Sequence, residues 1–280
     1  MKQIFVTIVL VMLSTAARAT AAEPSASSWS NDPIWHDGLA EKAVYSASRV
    51  VYGKPRTYEA VFFTNKEQHD PKTWTKAEKV TNTVEVWKFN QIEVIPTPNY
   101  DYKYVTTAHL GVNDWRLTRL DCSSQEFCGT AFKQYLRRVG GDAFDLLDYF
   151  GFSYMPEAGR VQGQVRENYF VDRNVAFNSL PLWLRDFDFA KHATVGFSML
   201  PDQKSNRATP HEPVVAEVRY AGEDGDAHKL ELHVAGKLAG TYWMAKDAAR
   251  RHVMLKYRGV DGQQYDLKSV ERVNYWTINE

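Results

Sequence analysis

The stretch HKLELHV at residues 228–234 decides the fold class. Leu230, Leu232 and Val234 alternate there with charged and polar residues, so an extended chain would be apolar on one face. A period of two is typical of a β-strand with one buried face, because successive side chains point to opposite sides. The stretch therefore predicts an amphipathic strand.

The same period recurs along the chain. Residues 252–258 repeat it and lead through the turn GVDG at 259–262 into 264–267, which predicts a hairpin. Segments rich in Val, Tyr, Phe, Thr and Trp, which favour strands, lie at 57–64, 83–90, 103–110 and 214–220. We therefore predict a mainly β fold: a curved antiparallel sheet or half-barrel, β-clam or lipocalin-like, with one or two short helices.

Helical signals are few. Residues 179–189 place apolar side chains at helical intervals, with Pro181 early enough for the first turn, and predict one short helix. The segment 130–150 is ambiguous, because its apolar spacing suits a helix while Gly140 and Gly141 interrupt it.

The first 22 residues have the pattern of a secretory signal peptide. A basic start is followed by an apolar run and then by small residues, with cleavage expected after Ala19, Ala21 or Ala22. The apolar run of about ten residues is short of the roughly 20 that a membrane-spanning helix needs. We therefore predict a periplasmic or secreted protein with no transmembrane segment.

The mature chain is expected to be one domain. Residues 23–32, rich in Ser and Ala, predict a flexible tether, and 33–280 a single mainly β domain. A soft boundary is conceivable at 201–213, where a polar stretch is bracketed by prolines; a linker and a long loop inside one sheet fit equally well.

The charge balance argues against some partners. The chain has 34 basic and 34 acidic residues, and removal of residues 1–22 takes away Lys2 and Arg18 but no acid, which leaves 32 against 34. A slightly negative protein is not expected to bind nucleic acid or an anionic membrane surface as its main partner.

The two cysteines, Cys122 and Cys128, lie close together in sequence. In an oxidising compartment such a pair predicts a local disulfide, worth about 2 kcal/mol because the loop is short. The alternative, a redox-active or nucleophilic cysteine, would need C-x-x-C spacing or a nearby activating base, and the sequence shows neither.

The sequence contains no recognisable catalytic constellation. It has no nucleophile elbow, phosphate-binding glycine loop or dinucleotide fingerprint. The eight histidines show no metal-ligand spacing, so neither a metal nor a cofactor is predicted. Paired carboxylates of the glycosidase type cannot be assigned from one sequence.

Aromatic residues make up 13% of the chain, with 8 Trp, 15 Tyr and 14 Phe. They could fill a large β core with their polar tips hydrogen-bonded. Alternatively, Trp87, Trp115, Trp243 and Trp276 could line a concave face that holds an apolar or sugar-like ligand. The first three are the candidate ligand-binding residues.

Three segments carry a family resemblance. VEVWKFN at 84–90, PTPNYDY at 96–102 and SSQEFCG at 123–129 resemble motifs of a group of exported bacterial proteins of unknown function: V-x-V-x-K-x-N, P/T-G/P-x-Y-x-Y and S-x-Q-E-W-C-G. Many members carry the label septum formation inhibitor Maf. True Maf proteins are cytosolic pyrophosphatases with an S-x-R-R motif that this chain lacks, so their activity is not carried over.

The resemblance implies that Gln125, Glu126, Cys128 and Gly129 form a family motif, in which Phe127 replaces the usual Trp. The distal half of the chain is similar, less closely, to exported β-clam proteins that curve a sheet around an apolar cavity. Such a similarity implies a binding role in the cell envelope.

These observations favour a non-enzymatic periplasmic protein that binds an apolar or lipid-like ligand or supports the cell envelope. One alternative is a carbohydrate-binding module or a glycan-acting enzyme, which would need an exposed aromatic platform or paired carboxylates. Another is a structural partner of a second envelope protein, which would need a large exposed apolar patch.

Overall fold

The computed structural model describes residues 29–77, 81–138, 146–155, 160–166, 174–274 and 276. These residues form one large sheet and a single short helix, which confirms the predicted mainly β fold. The strands are β1 (Ala40–Val51), β2 (Lys54–Asp70), β3 (Thr75–Lys76), β4 (Val84–Ile95), β5 (Tyr102–Gly111), β6 (Leu117–Glu126), β7 (Gly129–Arg137), β8 (Leu146–Ser153), β9 (Arg160–Arg166), β10 (Asn174–Ala176), β11 (Thr194–Leu200), β12 (Val214–Asp224), β13 (Ala227–Val234), β14 (Lys237–Ala245), β15 (Met254–Gly259) and β16 (Gln264–Val273).

The sheet is open, with β10 and β9 as its two ends. Its order is β10-β11-β12-β13-β14-β15-β16-β1-β2-β4-β5-β6-β7-β8-β9, and β3 pairs with β2. The pairs are antiparallel except β10 with β11, which are parallel. The end strand β10 contacts β6, which is far from it in the strand order. The sheet therefore curls, so that one of its ends lies against its own inner face.

Alternation along the strands builds the core on that inner face. Tyr45, Phe62 and Phe89 come from three neighbouring strands, with ring centroids 4.8 and 5.5 Å apart along the row. Leu230 and Leu232 of the amphipathic stretch 228–234 are fully buried. A bulge between Leu232 and His233 then interrupts the alternation, so His233 is buried as well.

Each predicted strand overlaps an observed one, and the turn at 259–262 joins β15 to β16 as expected. The ambiguous segment 130–150 contributes to β7 and β8, and its two glycines lie outside the described residues. The predicted helix is shorter than expected. The helix α1 covers only Leu180–Trp183, between two 3₁₀ turns, because Phe187 already has an extended backbone at φ −66° and ψ 123°.

The predicted flexible tether is wrong for its last four residues. Trp29 is 4% exposed, and the indole nitrogen of Trp35 donates to its carbonyl oxygen at 2.8 Å. Asp32 caps the 3₁₀ turn Pro33–His36. An aromatic ring buried in this way fixes the chain that carries it. The predicted signal peptide and the first part of the tether lie outside the described residues.

Residues 201–213, named here the inner segment, lie against the inner face of the sheet. Gln203 and Ala208 are fully buried, and the carbonyl oxygen of Gln203 accepts hydrogen bonds from Lys133 and Cys122. The hydroxyl of Tyr149 donates to the carbonyl oxygen of Ala208. The stretch is therefore a loop that fills the curved sheet, and a free linker between two halves does not describe it.

Among the described residues, no helix has the length and apolar character that crossing a bilayer would require.

Candidate functional site

The inner segment is held by a buried ion pair. Lys204 Nζ lies 2.8 Å from Glu93 Oε1 and 3.0 Å from the hydroxyl of Tyr265. Burial works to lower the pKa of Lys204, but the carboxylates of Asp202 and Glu93 outweigh it and hold the pKa above its usual value. The lysine is therefore charged in the folded protein, and its charge ties the inner segment to the sheet.

The inner face has little room beside this pair. A void of about 10 Å³ lies next to Lys204, Tyr242, Tyr257 and Tyr265. Such a volume admits about one water molecule. An acyl chain does not fit there while the inner segment stays in place.

Two of the predicted ligand-binding residues lie in the core. Trp87 is 0% exposed, and it packs with Trp29, Trp35 and Trp115. Its ring stacks on Trp29 with centroids 5.2 Å apart and meets Trp35 edge-on at 4.8 Å. The cluster is a packed end of the core, so Trp87 and Trp115 do not line an open concave face within the described part of the chain.

The structure does not bring Trp243 to the other two. It lies on β14 between the buried Tyr242 and Met244, and alternation therefore turns it to the opposite, outer face. Its indole nitrogen donates to Asp224 at 2.9 Å, and the ammonium of Lys256 lies 4.7 Å from its ring centroid. Trp276, the fourth tryptophan considered, is half exposed.

The predicted disulfide between Cys122 and Cys128 is wrong, because both thiols are free. Cys122 is buried within β6, whereas Cys128 is exposed in the two-residue turn between β6 and β7. The four residues from Cys122 to the end of β6 at Glu126 extend over about 13 Å. A disulfide requires Cα atoms within about 7 Å. Burial raises the pKa of the Cys122 thiol, which keeps it protonated.

The residues of the predicted motif, Gln125 to Gly129, lie in the β6–β7 hairpin and join it to the inner segment. Glu126 Oε1 accepts hydrogen bonds from the hydroxyl of Tyr154 and the amide of Asn206. Gly129 has a φ of +149°, and a Cβ there would lie 2.6 Å from the ring of Tyr154. Gln125, by contrast, is exposed. The glutamate and the glycine therefore have structural reasons to occupy their positions.

Exposed aromatic rings lie beside this hairpin, and we name Tyr52, Tyr100 and Phe127 the aromatic rim. Phe127 is 86% exposed and stacks on Tyr100 with centroids 5.3 Å apart. Tyr52 is 77% exposed and has a φ of +52°, which is strained for a tyrosine. The sulfur of Cys128 lies 3.2 Å from the Tyr100 hydroxyl. The rim therefore presents aromatic surface at the motif end of the sheet.

A second feature is a cleft of about 520 Å³, named here the aromatic cleft. Its volume falls in the range of about 300–1,000 Å³ that small-molecule sites occupy. It is lined by residues 185–190 together with Tyr220, Glu223, His228 and His252.

Phe189 lies at the centre of the cleft lining. Its ring stacks on the imidazole of His228 with centroids 3.9 Å apart and an interplanar angle of 12°. Phe187, Tyr220 and His252 surround it at 5.3, 5.9 and 5.9 Å. The early end of α1 contributes to this arrangement, because Phe187 then has an extended backbone and Phe189 lies in the turn that follows.

The charged groups at the cleft are paired. Asp188 Oδ2 lies 3.0 Å from the ammonium of Lys191, and Glu223 pairs with Lys246. Burial lowers the pKa of His228 below its usual value, which favours a neutral imidazole. The cleft therefore offers aromatic faces and hydrogen-bonding groups with little net charge, which suits an uncharged apolar or amphiphilic ligand better than an ion.

One group of side chains could hold a metal ion. Glu67, His69 and His109 each bring one potential ligand atom within 4.8 Å of the others. No metal was predicted from the sequence, because the eight histidines show no metal-ligand spacing along the chain. Pairing of β2, β4 and β5 brings them together.

Sequence reasoning also missed the aromatic cleft. Its residues belong to a predicted helix, three predicted strands and the segments between them, and no spacing links them. The cleft depends on where the helix ends and how the β12–β13 hairpin folds over that end.

Neither a family model nor a curated protein matches the chain. Among solved structures, the chain is similar to a β-barrel-like protein of a domain of unknown function, DUF1849, from Brucella abortus. The two are 8% identical, the TM-score is 0.47, and the likeness covers 84% of this chain and 98% of that one.

Proposed function

We propose that the protein is an exported binding protein that holds a small apolar or amphiphilic ligand in the aromatic cleft. The observation that carries the proposal is the cleft itself, with its volume of about 520 Å³ and its lining of aromatic rings around Phe189. The lining combines aromatic rings with polar groups such as His228 and His252, and clefts of this volume are where proteins bind small molecules.

The proposal moves the ligand away from the concave face. The inner segment fills that face, and the void beside Lys204 is close to one water molecule in size. The cleft, by contrast, is open to solvent and needs no rearrangement to receive a ligand. The pattern of residues 1–22 and the resemblance to exported bacterial proteins support a role in the cell envelope.

The cleft can be tested by filling it. Ala190 is exposed and lines the cleft, so Ala190→Trp adds bulk there without removing a core contact. Val215, 59% exposed on β12 and outside the lining, gives the matched control Val215→Trp. With the uncharged fluorescent probe N-phenyl-1-naphthylamine, we expect at least a tenfold loss of affinity in the first variant and wild-type affinity in the second. Equal binding by both would refute the cleft as the site.

Native mass spectrometry of the protein purified from the compartment where it accumulates tests the natural ligand and the export together. A polypeptide mass that corresponds to a chain starting after residue 19, 21 or 22 would support export. Additional mass from a bound molecule that is lost on organic extraction would identify the ligand class. An unprocessed chain in the cytosol would contradict the exported role.

A second candidate is glycan binding at the aromatic rim. Phe127 and Tyr52 expose aromatic surface of the kind on which sugar rings stack, and Phe127 occupies a motif position. Phe127→Ala, and Tyr52→Asn, which tolerates the positive φ, should abolish retention of the protein on insoluble cell-wall glycan. Ala190→Trp should leave it unchanged. Retention by both rim variants would exclude this role.

A further inference from the structure

We propose that Glu67, His69 and His109 form a binding site for a divalent transition-metal ion of the zinc type. His69 Nε2 lies 3.4 Å from Glu67 Oε2. Ligands about 2.0–2.2 Å from a tetrahedral zinc ion are about 3.3–3.6 Å apart, so this pair already has the required separation. Two imidazoles with one carboxylate are a donor set that zinc sites use.

Strand pairing explains how the three side chains meet. Glu67 and His69 are two residues apart on β2 and therefore point to the same side of the sheet. Lys88 on β4 lies opposite Asn65 of β2 on one side and opposite His109 of β5 on the other. Lys88, Glu67 and both histidines therefore point to the same side of the sheet. That side is the outer face, because Trp87 and Phe89, the neighbours of Lys88 along β4, point the other way into the core.

Burial without partners is the second, independent observation. His69 is 2% and His109 6% exposed, and the Nδ1 atom of each is buried without a hydrogen-bond partner. Their ring centroids are 4.7 Å apart. Buried imidazole nitrogens are normally satisfied by a hydrogen bond or a metal. The ion would take His69 through Nε2, the nitrogen that faces Glu67, so the unpartnered Nδ1 of His69 is not one of its ligands. A cation shared by one nitrogen of each ring still explains why two imidazoles are buried side by side next to a carboxylate.

The charges around the site define how it would work. Lys88 Nζ lies 2.9 Å from Glu67 Oε1, so it orients the carboxylate and leaves Oε2 for the ion. Arg119 lies opposite His109 on β6, but its Nε donates to Asp121 at 2.6 Å. The ammonium of Lys88 also repels a cation. Removing this lysine would therefore take away both an orienting contact and a repulsive charge, two effects of opposite sign on metal binding.

Zinc titration of the full exported protein, after dialysis against a chelator, tests the site. We expect one Zn²⁺ per chain. His69→Gln and His109→Gln should each weaken binding by more than about 100-fold, since residues that only orient a metal ligand already contribute about 10- to 100-fold. The matched control His192→Gln, on an exposed loop outside the cluster, should bind as the wild type does.

Two further measurements keep the result decisive if a histidine variant unfolds. The wild-type protein loaded with Co²⁺ should show the visible absorption of a four-coordinate site with nitrogen and oxygen ligands, and Glu67→Gln, which removes the negative charge of a ligand but keeps its size, should weaken Zn²⁺ binding. Absence of Zn²⁺ binding by the wild type would overturn the proposal. Unchanged binding in both folded histidine variants would overturn it as well.

Discussion

Replacing Lys204 with Met is expected to destabilise the protein by about 3–5 kcal/mol, because it removes one half of a buried ion pair. The lysine and Glu93 side chains are 2% and 0% exposed, and their charged atoms are 2.8 Å apart. Met keeps most of the length and apolar volume of the side chain. The loss therefore reports mainly the charge left unpaired on the glutamate.

An exposed pair with similar geometry gives the control. Lys268 Nζ lies 3.0 Å from Glu59 Oε2, but these side chains are 56% and 55% exposed. Exposed pairs contribute about 0–1 kcal/mol, because water already solvates both charges. Lys268→Met should therefore change the free energy of unfolding by no more than that. The difference between the two variants measures the effect of burial.

The assay is urea unfolding at pH 7, followed by tryptophan fluorescence and circular dichroism. The double variant Glu93→Gln with Lys204→Met should recover part of the loss, because it removes the unpaired charge. Limited proteolysis should cut the inner segment, residues 201–213, faster in Lys204→Met than in the wild type. If Lys204→Met lost no more stability than Lys268→Met, the ionic anchoring of the inner segment would be refuted.

Three further predictions concern the hairpin, the thiols and a histidine. Gly129→Ala should destabilise the protein by about 1–3 kcal/mol in urea unfolding, because its Cβ would meet a tyrosine ring at 2.6 Å. The control Gly236→Ala has a φ of +76° and open space around the new Cβ. It should therefore lose only the smaller free energy that a positive φ costs a residue other than glycine. Thiol titration of the unfolded, unreduced protein should find both Cys122 and Cys128 free, and a titration that finds neither would contradict the structure. Because burial lowers the folded-state pKa of His228, the unfolded chain binds the proton more readily. The stability that this histidine contributes above about pH 6.5 is lost as the pH falls, and His228→Gln should flatten the decline between about pH 7 and pH 5.

Local pattern was enough to predict the strands. Alternation in 228–234 and 252–258, and the turn at 259–262, depends on side chains two residues apart, so the sequence contains it directly. The helix at 179–189 was predicted too long, because α1 ends at Trp183. Packing of Phe187 and Phe189 around the aromatic cleft lowers the free energy more than another helical turn would. The tether was predicted flexible because Trp29 stood alone in a stretch rich in Ser and Ala.

The disulfide was wrong, and the three candidate tryptophans do not lie together, for a related reason. Cys122 and Cys128 are close in sequence, but the sequence does not show that Cys122 is buried on a strand while Cys128 is exposed in a turn. The richness in tryptophan was correctly noticed, but its place depends on which face of a strand each residue occupies. Trp87 is turned inward and Trp243 outward.

By itself the sequence determined the fold class, the positions of seven of the sixteen strands among the described residues, one hairpin turn and the charge balance, because these follow from residues that are near neighbours along the chain. Only the tertiary structure decided that residues 201–213 fill the sheet, that Lys204 meets Glu93, and that Glu67, His69 and His109 share one face. Each of these contacts joins residues whose proximity depends on sheet order, register and curvature. Those properties arise from packing of the whole chain, and no local pattern encodes them.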